Sequence, residues 1–193
     1  TMFGFDNVSD MRIALEYGVT KNLMLGFGRC KGTGVPYRSL LDGFVKYRFL
    51  EQVKDSMPLS LSIIGGASFT YQKASSDISN VNHFPKAIHR FAYYTHVNLA
   101  RRFSKFLSVS LMPTLVHRNY VADADINTLF TLGGAMRLKL SKKFFFLTEY
   151  YHCFNGTAFR QQAYQNSLGV ALEWSTFGHN FTINFTNSKG LGE

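Results

Sequence analysis

The sequence predicts an all-β protein that folds as an antiparallel up-and-down transmembrane β-barrel. Three observations lead to this fold class. Apolar residues alternate with a period of two, the second face of each alternating segment carries small or polar side chains, and short and long connections alternate along the chain. Composition agrees, because 46% of the 193 residues are hydrophobic and only 17% are charged. No stretch approaches the roughly 18 uninterrupted apolar residues of a membrane-spanning helix.

The alternation is clearest in the segment 126–140. Phe130 and Leu138 share one parity there, and Arg137 and Lys139 share the other. The outer face of a soluble β-protein would carry Lys, Glu and Thr, whereas the second face here is mostly Ser, Gly, Ala, Asn and Thr. Large apolar residues on one face and small polar residues on the other are typical of a strand with lipid outside and a polar lumen inside.

Ten segments of this kind follow one another along the chain. In order they are Met11–Tyr17, Leu23–Arg29, Leu41–Leu50, Leu59–Thr70, Arg90–Arg102, Phe106–Arg118, Ile126–Leu140, Phe144–Phe154, Gln165–Trp174 and His179–Thr186. Pro113 lies inside the sixth segment and predicts a bulge or kink there. Aromatic residues near the segment ends predict girdles at the two borders of the bilayer: Tyr17, Tyr47, Tyr93, Tyr150 and Trp174.

The connections between these segments alternate in length. The compact ones are Gly18–Asn22, Glu51–Pro58, Phe103–Lys105, Ser141–Lys143 and Ser175–Gly178. The mostly longer ones are Cys30–Leu40, Tyr71–His89, Asn119–Asp125 and Asn155–Tyr164. Outer-membrane barrels have tight periplasmic turns and larger extracellular loops, and bacterial barrels have an even number of strands. Both ends of the ten-strand unit would then lie at the extracellular rim, whereas bacterial barrels normally keep both termini in the periplasm. We therefore expect residues 1–193 to form one barrel domain that is incomplete at both ends, with about twelve strands in the complete protein.

Charged side chains on the polar parity are assigned to the lumen, because each would cost several kcal/mol in lipid. The predicted lumen-facing polar network consists of Arg12, Glu16, Asp42, Lys46, Arg48, His96, Asn98, Arg118, Arg137, Lys139, Glu149 and Glu173. We expect charges of both signs to pair across a narrow, largely closed interior. The alternative is that the basic excess lines a water-filled path selective for anions.

The net charge of +9 also suits a nucleic-acid-binding protein. The basic residues are scattered through turns and lumen positions, however, and do not share one strand face with stacking aromatics. No nucleic-acid partner is expected. Cys30 and Cys153 are far apart and lack partners at metal-ligand spacing, so the sequence predicts no metal and no cofactor.

Histidines on the outward parity raise the question of catalysis. His117 and His152 fall near the predicted extracellular rim, and twelve-stranded outer-membrane phospholipases use a Ser–His pair on the lipid face. No serine beside either histidine is identifiable as an activated nucleophile. We expect no enzymatic activity, and a lipid-modifying enzyme is the alternative.

Several blocks of residues resemble one bacterial family, in the same order and over nearly the whole chain. They are Met2-Phe3-Gly4-Phe5-Asp6-Asn7, Met11-Arg12-Ile13, Glu16-Tyr17-Gly18, Leu25-Gly26-Phe27-Gly28-Arg29, Asp42-Gly43-Phe44-Val45-Lys46-Tyr47-Arg48, Met57-Pro58-Leu59-Ser60, the segment Leu111 to Asn119, and Gly178-His179 with Phe185-Thr186-Asn187-Ser188. The family is an uncharacterised outer-membrane β-barrel family, a domain of unknown function, of Bacteroidetes-type bacteria. The resemblance implies a barrel in the outer membrane, with further sequence before and after this portion. It implies no activity, because no catalytic or ligand residues carry across.

The function predicted from the sequence is that of an integral outer-membrane barrel protein without enzymatic activity. Its expected role is a scaffold or accessory subunit of an envelope complex, with the lipid bilayer and other outer-membrane or periplasmic proteins as partners. A narrow, porin-like channel for small, possibly anionic solutes is the second hypothesis.

Overall fold

A computed structural model of the chain describes residues 11–31, 39–121, 125–158, 160 and 165–188. The strands are β1 (Met11–Gly18), β2 (Leu23–Lys31), β3 (Ser39–Leu50), β4 (Ser60–Thr70), β5 (Phe91–Arg102), β6 (Leu107–Arg118), β7 (Thr128–Lys139), β8 (Phe144–Cys153), β9 (Leu168–Ser175) and β10 (Asn180–Thr186). A short 3-10 helix, Ala87–Arg90, precedes β5. The ten strands form one antiparallel sheet in which each strand pairs with the next along the chain. This confirms the predicted all-β, up-and-down fold.

The strand ends lie within three residues of the predicted ones. The largest difference is at β9, which begins at Leu168 and not at Gln165. The amide side chain of Asn166 explains it, because Asn166 Oδ1 accepts the Cys153 N–H at 3.1 Å, where a strand would use a backbone carbonyl. At β5 the predicted first residue, Arg90, belongs to the 3-10 helix.

Proline inside β6 does not shift the strand register. β6 pairs with β7 without interruption through Pro113, which lies opposite Leu132, and its register to β5 is the same on both sides of the proline. The sequence predicted a bulge or a kink at Pro113, and the prediction of a bulge is therefore wrong. A register shift occurs instead in the β3–β4 ladder, between Arg48 and Leu50.

The two faces of the sheet differ sharply in exposure. In β3, Asp42 and Phe44 are buried, whereas Val45 and Tyr47 on the other side are exposed. We call the side that carries Asp42 the inner face and the opposite side the outer face. Since residues opposite each other in a ladder share a face, the register extends this assignment to every strand. Exposed apolar residues of the outer face include Ile13, Leu15, Leu25, Leu111, Leu115, Phe130, Leu172 and Ile183.

Three aromatic rings of the inner face pack against glycines of the neighbouring strand. Phe44 covers Gly26, Tyr94 covers Gly66 and Tyr151 covers Gly133. Each aromatic residue lies directly opposite its glycine in the ladder. A methyl group in place of any of these glycine hydrogens would come closer than 3.0 Å to the ring. The glycines thus create the space in which the rings pack along the inner face.

Substituting Gly133 with alanine is expected to destabilise the barrel by about 1–3 kcal/mol, because the new methyl group displaces the Tyr151 ring. The neighbouring Gly134 is a matched control, since a methyl group there meets no atom within 4 Å. The measurement is the free energy of unfolding by urea for both variants in lipid vesicles. Equal losses for Gly133→Ala and Gly134→Ala would contradict the packing role, as would failure of Tyr151→Ala to relieve the effect of Gly133→Ala.

Candidate functional site

The candidate site is the inner face, because the polar and charged side chains of the strands converge there. The ladder registers place all twelve residues of the predicted lumen-facing network on this face. Six of the twelve are Lys or Arg and four are Asp or Glu, so the set carries a basic excess. Only some of these side chains contact one another.

Arg12 and Asp42 form an ion pair that passes over the strand between them. Arg12 Nη2 of β1 donates to Asp42 Oδ2 of β3 at 2.8 Å, and the Asp42 side chain is only 2% exposed. Gly28 of β2 lies directly opposite Asp42, and a methyl group at Gly28 would come within 2.8 Å of the carboxylate. The Cys30 Sγ atom lies 3.8 Å from Asp42 Oδ1. The glycine therefore leaves the space that this buried carboxylate occupies.

A second ion pair repeats this construction on the same face, farther along the sheet. Arg137 Nη2 of β7 donates to Glu173 Oε1 of β9 at 2.6 Å. The guanidinium crosses β8 by lying over the Phe145 ring, 3.6 Å from its centroid. Lys139 Nζ lies 5.8 Å from the same ring. Both inner-face pairs thus join next-but-one strands along the wall, whereas pairing across the interior was expected.

At the end of the sheet with the long connections, one carboxylate joins two loops. Asp125 Oδ2 accepts from Arg118 Nη2 at 2.9 Å and from Arg160 Nη1 at 2.8 Å, and its side chain is 3% exposed. Burial acts to raise the pKa of Asp125. The Ile126 N–H and the two guanidinium groups outweigh burial, and the pKa lies below its ordinary value. Asp125 is therefore an ionised anchor between the β6–β7 and β8–β9 connections.

The remaining network residues play different parts. Arg48 points to the short-turn end, where Nη2 donates to the Lys21 carbonyl at 2.8 Å and lies 3.2 Å from Glu51. Lys46 and His96 lie on either side of Ile64 in the ladder. Four charged residues of the set have no ion-pair partner within the described part of the chain: Glu16, Lys46, Lys139 and Glu149.

The contacts of His152 set its tautomer. Asn166 Oδ1 accepts the Cys153 N–H, so the amide nitrogen of Asn166 faces the ring and lies 3.2 Å from His152 Nδ1. Since that nitrogen can only donate, Nδ1 accepts and the proton is on Nε2. A histidine base in a Ser–His pair needs the reverse arrangement, with Nε2 free to take a proton.

His152 borders a cleft of about 550 Å³ between the ends of β7 and β8 and the connection to β9. Ser167 also lines the cleft, but within the described ranges no hydrogen bond joins its hydroxyl to His152. The second candidate, His117, contacts Thr128 Oγ1 through Nδ1 at 2.8 Å. Sequence reasoning missed Asn166, which lay inside the predicted segment Gln165–Trp174 and therefore gave no signal.

Among the described residues, no group of three His, Cys, Asp or Glu side chains comes together as a set of metal ligands. No helix in this part of the chain is long and apolar enough to cross a membrane.

The chain matches one known protein family. Residues 1–193 match the model of a family described as a membrane-bound β-barrel domain (DUF5777). The chain belongs to this family. No curated protein matches the chain. The DUF5777 assignment confirms the predicted resemblance as far as an uncharacterised membrane barrel, and it confirms association with a lipid bilayer. The exposed apolar outer face suits contact with the lipid of this bilayer.

Replacing Arg12 with methionine is expected to destabilise the DUF5777 barrel by about 3–5 kcal/mol, because Asp42 would remain buried without its ion-pair partner. Arg137→Met is the matched control, since it breaks a pair of the same construction in which the Arg137 side chain is 44% exposed. Arg137→Met should therefore lower the free energy of unfolding by less than Arg12→Met does. Urea unfolding in lipid vesicles measures both. The double variant Arg12→Met/Asp42→Asn should recover part of the loss, and a double variant no more stable than Arg12→Met would contradict this account.

Proposed function

We propose that this membrane-bound barrel lies in the outer membrane of a bacterium of the Bacteroidetes type and serves, without enzymatic activity, as a scaffold or accessory subunit of an envelope complex. The location rests on the alternation of short and long connections, which is typical of Gram-negative outer-membrane barrels. The accessory role rests on the form of the β4–β5 connection, residues 71–90.

This connection packs around one buried aromatic ring. Phe84 is only 7% exposed, and the Arg90 guanidinium lies over its ring at 5.1 Å. Arg90 Nη1 donates to the carbonyls of Thr70 at 3.1 Å and Gln72 at 2.5 Å, which ties the end of the connection back to its beginning.

The β6–β7 connection braces the same segment. The Tyr120 ring stacks on His89 at 5.1 Å, and Asn119 Nδ2 donates to the Ile88 carbonyl at 2.8 Å. Ile78 and Ile88 are nevertheless 78% and 52% exposed. A long connection that is held in one shape and presents apolar side chains to solvent favours contact with another protein.

The contacts of His152 support the absence of catalysis. Its Nδ1 accepts from Asn166, so the proton is on Nε2, and in this tautomer Nε2 cannot take the proton of a serine nucleophile.

The scaffold role predicts that a tagged full-length protein, extracted in a mild detergent, co-purifies with a defined envelope protein. Ile78→Ser/Ile88→Ser should lose that protein, because the exposed apolar contacts of the β4–β5 connection are removed. Val53→Ser is the matched control, since Val53 is 53% exposed on a short turn at the other end of the sheet. Quantitative mass spectrometry of the eluates measures both. Isolation of the wild type as a lone monomer would overturn the scaffold role.

A narrow channel for small anionic solutes is a second candidate, favoured by the inner-face charges. The ion pairs of the inner face run along the wall, and Lys46 and Lys139 have no acidic partner in the described residues. Planar-bilayer recording should then detect a small anion-selective conductance. Lys46→Glu should shift the reversal potential toward cations, whereas Lys86→Glu, on the exposed β4–β5 connection, should leave it unchanged. Absence of conductance across a range of voltages would dismiss the channel.

A further inference from the structure

Three short turns of the sheet share one five-residue pattern. The pattern is an apolar residue, Ser or Thr, Lys, any residue, and a second apolar or aromatic residue, and it occurs in Val19–Leu23, Phe103–Leu107 and Leu140–Phe144. The same hydrogen bonds close all three turns. The first N–H donates to the fifth carbonyl at 2.9–3.0 Å. The hydroxyl of the second residue accepts the fourth and fifth N–H groups at 3.0–3.3 Å.

This geometry places a lysine at the tip of each turn, next to an exposed apolar side chain. Val19, Phe103 and Leu140 are 45%, 60% and 56% exposed. A cation beside an apolar group is the arrangement of a bilayer interface, where the apolar part enters the acyl region and the charge stays at the level of the phosphates.

The β5–β6 and β7–β8 turns are neighbours, and basic residues concentrate in both. Segments 101–106 and 139–144 together contain six Lys or Arg residues and no Asp or Glu. Lys139 N donates to the Phe106 carbonyl at 2.7 Å, which joins the two hairpins at this rim. Since two strand spacings separate the turns, they lie about 10 Å apart. The β3–β4 connection differs, because Glu51 and Asp55 outweigh Lys54 there.

The cations of the β5–β6 turn lie against aromatic rings. The Arg101 guanidinium is 5.0 Å from the Phe103 centroid, and Lys105 Nζ is 5.0 Å from that of Phe106. Aromatic residues of the outer face border the β7–β8 turn. Phe144 stacks on Trp174 at 6.4 Å, and Trp174 contacts Phe181 at 5.6 Å. Such aromatic residues lie at the edge of the hydrocarbon region, so the turn lysines are at headgroup level.

We infer that the β5–β6 and β7–β8 turns form a binding site for the phosphate groups of anionic phospholipids in the adjoining leaflet. Lys142 and Lys143 contact the phosphate from the β7–β8 turn, and Arg101 and Lys105 contact it from the β5–β6 turn. The serine-closed turns fix the backbone that carries the cations, so little backbone freedom is lost on binding. The inference depends on the membrane-barrel family and not on the proposed scaffold role.

Trp174 is the single tryptophan of the chain and provides the probe. Ser175 N donates to the Lys143 carbonyl at 2.8 Å, so the indole lies beside the proposed site. The folded full chain is reconstituted into phosphatidylcholine vesicles with increasing fractions of brominated phosphatidylglycerol or brominated phosphatidylcholine. Quenching of Trp174 fluorescence then reports which lipid occupies the adjoining positions. We expect preferential quenching by the anionic lipid, and rising salt should remove the preference.

Lys142→Gln/Lys143→Gln should lower the preference, by about fivefold for each lysine at low ionic strength. Lys73→Gln/Lys86→Gln removes the same charge from the β4–β5 connection and should leave the preference unchanged. A heat-induced shift in gel mobility checks the fold of each variant. If Lys142→Gln/Lys143→Gln does not fold, the salt titration of the wild type decides. Equal quenching by the two brominated lipids, a salt-independent preference, or equal effects of the two double variants would overturn the inference.

Discussion

The hydrocarbon core of a bilayer contains no water, so every backbone N–H and C=O that crosses it must find a partner in another strand. This requirement determines the whole arrangement of the sheet. Each strand from β2 to β9 bonds to the strand before it and the strand after it in the chain, β1 bonds to β2, and β10 bonds to β9. Because side chains alternate along a strand, the same ladders also align the faces. Ala14, Gly28, Asp42 and Ser68 form one row across β1 to β4, and all four are on the inner face.

Once the rows are aligned, side chains on the inner face interact along the wall. Arg12 reaches Asp42 over Gly28, and Arg137 reaches Glu173 over Phe145. The rings on Gly26, Gly66 and Gly133 follow the same principle, because a missing side chain on one strand accommodates a large one on the next. Burying a carboxylate such as Asp42 is favourable only with this partner in place. The polar groups of the wall therefore stabilise one register, and a slip of one residue would separate each pair.

The period of two predicted the strands and the faces well, because it depends on local sequence. It could not predict which residues meet on the inner face. Arg12 and Asp42 are 30 residues apart, and Gly133 and Tyr151 are 18 apart, so their contact depends on a register that no local pattern encodes. Strand ends were missed where a side chain replaces the backbone, as Asn166 does at β9. The pairing of charges across the interior was an assumption about barrel width, whereas the observed pairs depend on strand spacing.

Three of the short turns and the long connections at the other end of the sheet are built by different means. A short turn is closed by a hydroxyl two residues from the N–H it accepts, so five residues suffice to specify it and the same pattern recurs three times. The long connections depend on contacts distant in sequence, such as Asn119 with Ile88 and Arg160 with Asp125. These three locally encoded turns each carry a lysine, which suits the bilayer interface that we infer for two of them. An end whose shape depends on long-range contacts can differ between related barrels without altering the wall. In the scaffold role that we propose, the long connections would therefore recognise the partner, and the strands would hold these connections in position.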